Sequence, residues 1–146
     1  MKALFLDIDG VCNSEESLKR QYLRDGKPTI LEIDPEMAFM VGKIILDTDC
    51  KLVISSSWRN WPDGMEQIKQ AVYHDIYGKT GYSKDGFRGK EVRQYLKEHP
   101  EITHYAILDD DSDFFKYQPL FQTSWKKGIT KEIAQAVTDY LNKEPA

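Results

Sequence analysis

Two carboxylates spaced by one residue, Asp7 and Asp9, close an apolar run and lead directly into Gly10, in the segment Leu4-Phe5-Leu6-Asp7-Ile8-Asp9-Gly10. Carboxylates held this close repel each other unless a proton or a cation intervenes. A hard divalent cation such as Mg2+, which prefers oxygen ligands, resolves the conflict. Two later segments have the same form. Lys51-Leu52-Val53-Ile54 runs into Ser55-Ser56-Ser57-Trp58-Arg59, and Tyr105-Ala106-Ile107-Leu108 runs into Asp109-Asp110-Asp111-Ser112-Asp113. Between them, Arg88 and Lys90 lie at the start of a helical pattern. Hydroxyls and cations suit the oxygens of an anion, and carboxylates can act as nucleophile, general acid or metal ligand. Taken alone, Asp-x-Asp-Gly also reads as an acidic turn, and the serine run as capping chemistry. The ordered set of carboxylate pair, serine, cation and acidic cluster is a stronger signal than any one of its members.

The apolar runs are continuous, as in parallel strands covered on both faces, and such sheets bind ligands beyond the carboxyl ends of their strands. A central strand over 3–9 therefore brings Asp7 to the rim of a crevice. Helical character is weak from Ser14 to Leu23, with a turn at Asp25-Gly26. Asp34 caps a stronger helix that opens with Pro35, and Met37, Met40, Val41, Ile44 and Ile45 keep the spacing of one buried face. Asp63 and Glu66 have capping-box spacing ahead of a helix that buries Met65, Ile68, Val72 and Ile76. Four glycines between 77 and 89 predict a mobile loop. A helix from about residue 90 buries Val92, Tyr95 and Leu96, and residues 120–125 form a short fourth strand. Thr130 caps a last helix with Ile133, Ala136, Val137, Tyr140 and Leu141 inward. This alternation predicts a three-layer α/β/α, Rossmann-like fold with a mainly parallel sheet, in one domain over 1–146.

The ordered set resembles the haloacid dehalogenase-like (HAD) phosphatases, magnesium-dependent phosphoryl-transfer enzymes. Asp7-Ile8-Asp9-Gly10-Val11-Cys12-Asn13, Val53-Ile54-Ser55-Ser56-Ser57-Trp58-Arg59 and Ile107-Leu108-Asp109-Asp110-Asp111-Ser112-Asp113 are more closely similar to the HAD domains of Swiss Army Knife RNA-repair proteins. Arg88-Gly89-Lys90-Glu91-Val92 with Tyr95-Leu96 adds a weaker match. The resemblance implies a HAD fold and a phosphomonoesterase working through an aspartyl-phosphate. Asp7 is then the nucleophile and Asp9 the general acid and base. Asp7 and Asp110 ligate Mg2+, the Asp9 backbone carbonyl joins them, and Asp109 or Asp113 orders the surrounding waters. Ser56 binds a phosphoryl oxygen, with Ser55 and Ser57 as neighbours of the same chemistry. Arg88 or Lys90 supplies the catalytic cation, while Arg59 and Gly10 belong to the substrate site. The stretches 13–33 and 77–89 are too short for an independent cap, so no large cap domain is expected. An open site suits a protruding phosphate such as a nucleic-acid end, and also nucleotides and sugar phosphates.

At 146 residues with 40% hydrophobic and 30% charged, the chain has room for one core and the balance of a globular protein. No apolar run approaches the length of a membrane helix. Asp7 and Asp9 interrupt the N-terminal apolar stretch too early for a signal peptide, and a cytoplasmic monomer or small homo-oligomer follows. A net charge of −4 argues against nonspecific nucleic-acid binding over the whole surface. A local patch of Lys79, Lys84, Arg88 and Lys90, interleaved with Tyr77, Tyr82 and Phe87, suits phosphate contact and base stacking, or a solvated basic loop. Trp58 and Trp61 fit either a stacking platform or the core. Cys12 and Cys50 give neither zinc nor disulfide spacing, and the scattered His74, His99 and His104 read as structural. A receiver domain places its acidic pair and phosphorylated aspartate before Ser/Thr and lysine, and a P-loop kinase needs Gly-x-x-x-x-Gly-Lys-Ser/Thr. Neither order occurs. A catalytically silent phosphate- or nucleic-acid-binding module and a phosphotransferase remain as alternatives to hydrolysis.

Overall fold

The computed structural model describes residues 1–27 and 31–143. Five parallel strands form one sheet: β1 (Lys2–Leu6), β2 (Lys51–Ile54), β3 (Ile76–Lys79), β4 (His104–Asp109) and β5 (Leu120–Gln122), in the order β3-β2-β1-β4-β5. The helices are α1 (Glu15–Asp25), α2 (Pro35–Thr48), α3 (Gly64–Val72), α4 (Arg88–Glu98) and α5 (Lys131–Asn142), with a short 3-10 helix at Ser57–Asn60. All four strand pairings are parallel, so each connection carries the chain back to the starting edge of the sheet.

Side-chain alternation divides the sheet into two apolar faces. Leu4, Leu6, Leu52, Ile54, Ala106 and Leu108 pack with Met37, Val41 and Ile44 of α2, Ile68 and Val72 of α3, and Val137 and Leu141 of α5. Ala3, Phe5, Val53 and Ile107 face Val92 and Tyr95 of α4. Both sides of the central strands are dry, and this is why their sequences are apolar without interruption. The two faces make the α/β/α layers.

Helix ends follow local chemistry. Asp34 accepts the N–H groups of Glu36 and Met37, with Pro35 in the first turn, and Thr130 accepts the Ile133 N–H. Gly26 ends α1 at φ 79°, a conformation that favours glycine. Ser14 and Ser17 form the capping box of α1, and residues 28–30 of the 13–33 stretch lie outside the described residues.

Several expectations are corrected. Residues 77–89 are not all loop, because β3 occupies Ile76–Lys79 and Ile76 belongs to the sheet instead of the face of α3. As an edge strand, β3 leaves Tyr77 and Lys79 exposed and Ile76 only partly buried, so its sequence lacks the apolar signal. Asp63 makes no capping bond, since its carboxylate accepts from the Gln67 side chain at 3.0 Å. Ala136 faces solvent and Ala134 packs inward. The first strand stops at Leu6 and the fifth at Gln122.

Candidate active site

The strand register carries the site. Leu6 pairs with Ile54 on one side and Leu108 on the other, and Ile54 pairs with Lys79. One residue further, the Asp7 N–H donates to the Leu108 carbonyl, the Ser55 N–H to Leu6 and the Thr80 N–H to Ile54, each at 3.0 Å. Thr80, Ser55, Asp7 and Asp109 thus follow one another across the carboxyl edge of four adjacent strands. By alternation they continue the side of the sheet that bears Val53, Phe5 and Ile107, the side covered by α4. The first residue of α4 is Arg88. Its Nη1 lies 3.1 Å from Asp7 Oδ1 and 2.9 Å from Asp109 Oδ2.

Asp113 aims that arginine. Phe87 at the head of α4 has no side chain able to cap it, and Asp113 Oδ2 accepts the Arg88 N–H at 3.2 Å instead. The Asp113 carbonyl also accepts the Gly89 N–H at 3.0 Å. Asp113 therefore holds the helix end through Oδ2 and its carbonyl, while its Oδ1 is buried without a hydrogen-bond partner.

Carboxylate oxygens of Asp7, Asp109 and Asp110 all come within 4.8 Å of one another. Burial, then the charge of Asp7, raises the pKa of Asp109, while Arg88 opposes the rise. Burial and Asp7 likewise raise that of Asp110. Burial works against the charge of Arg88, but Asp7 and Asp109 outweigh it and its pKa is raised. One guanidinium thus balances part of a three-carboxylate cluster, and a proton or another cation must balance the rest. An all-oxygen donor set of this kind fits Mg2+.

Gly10 closes the cluster from below. It has φ 84°, and a Cβ there would collide with the Asp110 carboxylate. Its carbonyl accepts the Thr123 hydroxyl at 2.5 Å. Gly10 thereby admits Asp110 to the site, and no substrate contact is needed to explain it. Gly10→Ala is expected to cost about 1–3 kcal/mol in backbone strain and to weaken Mg2+ binding by displacing Asp110. Titration calorimetry with MgCl2 measures the second effect, and unchanged affinity would contradict the Asp110 assignment.

The serines separate by direction. Ser56 Oγ accepts the Trp58 N–H at 3.2 Å and caps the 3-10 helix, and Ser57 is exposed. Ser55 Oγ, in the row with Asp7, is buried without a hydrogen-bond partner, as is Thr80 Oγ1 beside it. The hydroxyl in line with the carboxylates is therefore that of Ser55, which corrects the choice of Ser56.

Arg59 and Lys90 stand apart from the carboxylates. The Arg59 side chain is 3% exposed, pairs with Glu91 Oε1 at 3.1 Å, and donates to the carbonyls of Ser55, Ser56 and Gly81. Tyr82 stacks on the guanidinium, with 3.9 Å from Cζ to the ring centre. Arg59 ties the serine segment to α4 and has no free fork for substrate, a correction to its expected role. Removing one member of a buried pair strands the other charge, so Glu91→Ala is expected to cost about 3–5 kcal/mol in urea unfolding. Lys90 is paired with Asp85 at 2.5 Å on the surface. Trp58 is 2% exposed and cannot serve as a platform, whereas Trp61 is 42% exposed. Burial, with Asp7 next, pushes the pKa of the Cys12 thiol up, so it stays protonated and inert. His104 is structural, its Nε2 lying 2.8 Å from the Tyr140 carbonyl.

Asp9 is half-buried and is not part of the three-carboxylate cluster. Its Oδ1 accepts from Asn13 Nδ2 at 2.9 Å and from Trp58 Nε1 at 3.1 Å. Sequence reasoning missed Asn13, Trp58 and Thr80 in this setting. The matches over Asp7-to-Asn13 and Val53-to-Arg59 included Asn13 and Trp58 without showing that they meet at Asp9, and Thr80 lies in no matching stretch.

No helix among the described residues is long and apolar enough to cross a membrane. The family model described as the HAD domain in Swiss Army Knife RNA repair proteins matches residues 3–134. No curated protein and no solved structure matches the chain significantly.

Proposed function

The chain belongs to the family of HAD domains found in Swiss Army Knife RNA repair proteins, and from that premise we propose that it is a magnesium-dependent phosphomonoesterase acting on phosphate at nucleic-acid ends. The observation that carries this reading is the juxtaposition of Asp7, Asp109, Asp110 and Arg88 at the carboxyl edge of the central strands. Asp7, Asp109 and Asp110 would hold Mg2+, which when bound offsets the repulsion between a phosphate dianion and a carboxylate nucleophile.

The residues then divide the work. A carboxylate oxygen of Asp7 forms a bond to phosphorus as the bond to the ester oxygen breaks, giving an aspartyl-phosphate. Asp9 gives its proton to the departing oxygen, so the product leaves as an alcohol. Water next attacks phosphorus, Asp9 takes the proton back, and inorganic phosphate departs with Asp7 restored. Arg88 faces the charge that develops on the phosphoryl oxygens, and the unpartnered Ser55 hydroxyl donates to one of them.

Two features support a nucleic-acid end. The family description concerns RNA repair proteins. Tyr82, 60% exposed, hydrogen-bonds Asn60 of the 3-10 helix and flanks Arg59, and Trp61 follows that helix. Exposed aromatic rings beside the serine segment suit base stacking.

Phosphate release is to be measured with and without Mg2+ on 3′- and 5′-phosphorylated oligonucleotides, nucleotides and sugar phosphates. Magnesium-dependent release with preference for an oligonucleotide end is expected. No release from a folded, magnesium-binding protein would replace this reading with that of a binding module. Transfer of phosphate to an added alcohol, in place of water, would make the protein a phosphotransferase.

A further inference from the structure

Asp9 is held by two side chains that reach it from different parts of the chain. Asn13 is fully buried, and its own Oδ1 accepts the Gly10 N–H at 3.0 Å. That bond fixes the orientation of the amide, so the Asn13 NH2 must face Asp9. Trp58 comes from the segment after β2. Its backbone N–H is tied to Ser56 Oγ, and its ring lies against Trp61 with centres 4.7 Å apart. Both donors converge on the same atom, Asp9 Oδ1.

A carboxylate oxygen offers two lone pairs in its plane, and two donors occupy both. Oδ1 is then an acceptor only, and a proton carried by this carboxyl group belongs on Oδ2. A buried indole N–H needs a partner, but a backbone carbonyl would satisfy it equally well. The choice of Asp9 couples the serine segment to the acid itself.

We infer that Asn13 and Trp58 are positioning residues that hold Asp9 with Oδ2 toward the ester oxygen and so suit the site to phosphate esters of aliphatic alcohols. The inference rests on the phosphomonoesterase reading above. An alkoxide is a poor leaving group and needs a proton as the bond breaks, whereas a nitrophenolate leaves without one. An aligned acid is worth about 10²–10⁴ in rate where protonation is required. A merely structural tryptophan would affect all esters alike.

Trp58→Phe removes the N–H and keeps a ring in the core, and Asn13→Ser removes the second donor independently. With Mg2+ present, kcat is to be compared on a series from alkyl to nitrophenyl phosphates. Both variants are expected to lose about 10- to 100-fold on the alkyl esters and progressively less as the leaving group becomes less basic. A uniform loss across the series, or none, overturns the inference. A second readout does not depend on turnover. The indole N–H resonance of Trp58, assigned from Trp58→Phe, is expected to shift and to exchange faster with solvent in Asp9→Ala. An unmoved resonance also overturns the inference. If the parent protein releases no phosphate from any ester, the phosphatase reading fails and the assigned role fails with it. A resonance that still shifts would then preserve the Asp9 contact alone.

Discussion

Asp7→Asn is expected to lower phosphate release by roughly 10⁴-fold or more, the scale of loss when a nucleophile is removed. The change is nearly isosteric and leaves the amide unable to form the acyl-phosphate. The folded structure should survive, because the Asp7 backbone remains in the sheet through its bond to Leu108. The same substitution removes a charge that raises the proton affinity of Asp109 and Asp110. Metal-free Asp7→Asn protein should therefore show a flatter dependence of Tm on pH than the parent. Arg88 loses one carboxylate but keeps Asp109 at 2.9 Å. Single-turnover phosphate release and thermal unfolding together give the test. Activity within tenfold of the parent would remove Asp7 from the nucleophile position, whatever its effect on stability.

Magnesium should stabilise the protein strongly, and more so at alkaline pH. Burial and the neighbouring Asp7 charge push Asp109 up to about 8 and Asp110 up to about 6, from an ordinary value of 3.8. Across that interval the folded metal-free protein holds protons that the unfolded chain has released. Its stability therefore falls as pH rises from about 4 to about 8, and levels off beyond. Metal binding requires the deprotonated carboxylates, so Mg2+ competes with protons at low pH and offsets the repulsion at high pH. At about 100 times its dissociation constant, a ligand adds about 2.7 kcal/mol, which is roughly 8 °C in a domain of this size. The rise in Tm on adding MgCl2 should be clearly larger at pH 8 than at pH 5. Equal rises at both, or a larger one at pH 5, would mean that Asp109 and Asp110 do not hold the ion.

Cation choice shows where linear reading stops. Arg88 and Lys90 are two residues apart, and both precede or open a helix in the sequence. Two residues on a helix differ by about 200° in direction, so only one can face the strand ends. Arg88 is turned toward Asp7 because Asp113, 25 residues later, takes its backbone N–H. Arg59 is a similar case. Its sequence neighbours suggest a surface cation near the serines, and Glu91, 32 residues away, draws it into the interior. The missed strand β3 has another cause. Gly78 reads as a loop residue, but it is there because a Cβ would strike the Tyr95 hydroxyl of α4.

The α/β layering, the central place of β1, the caps at Asp34 and Thr130, and the order of polar groups at the strand ends were legible along the chain. These features depend on near neighbours: a continuous apolar run demands cover on both faces, and a cap acts within one turn. Which serine lies in line with Asp7, which cation faces the carboxylates, and which donors hold Asp9 emerge from packing. Those outcomes depend on strand register, on helix rotation and on contacts such as Trp58 to Asp9, 49 residues apart. Composition and spacing carry the types of group available to a site, but the directions of side chains from separate elements are set only when those elements pack.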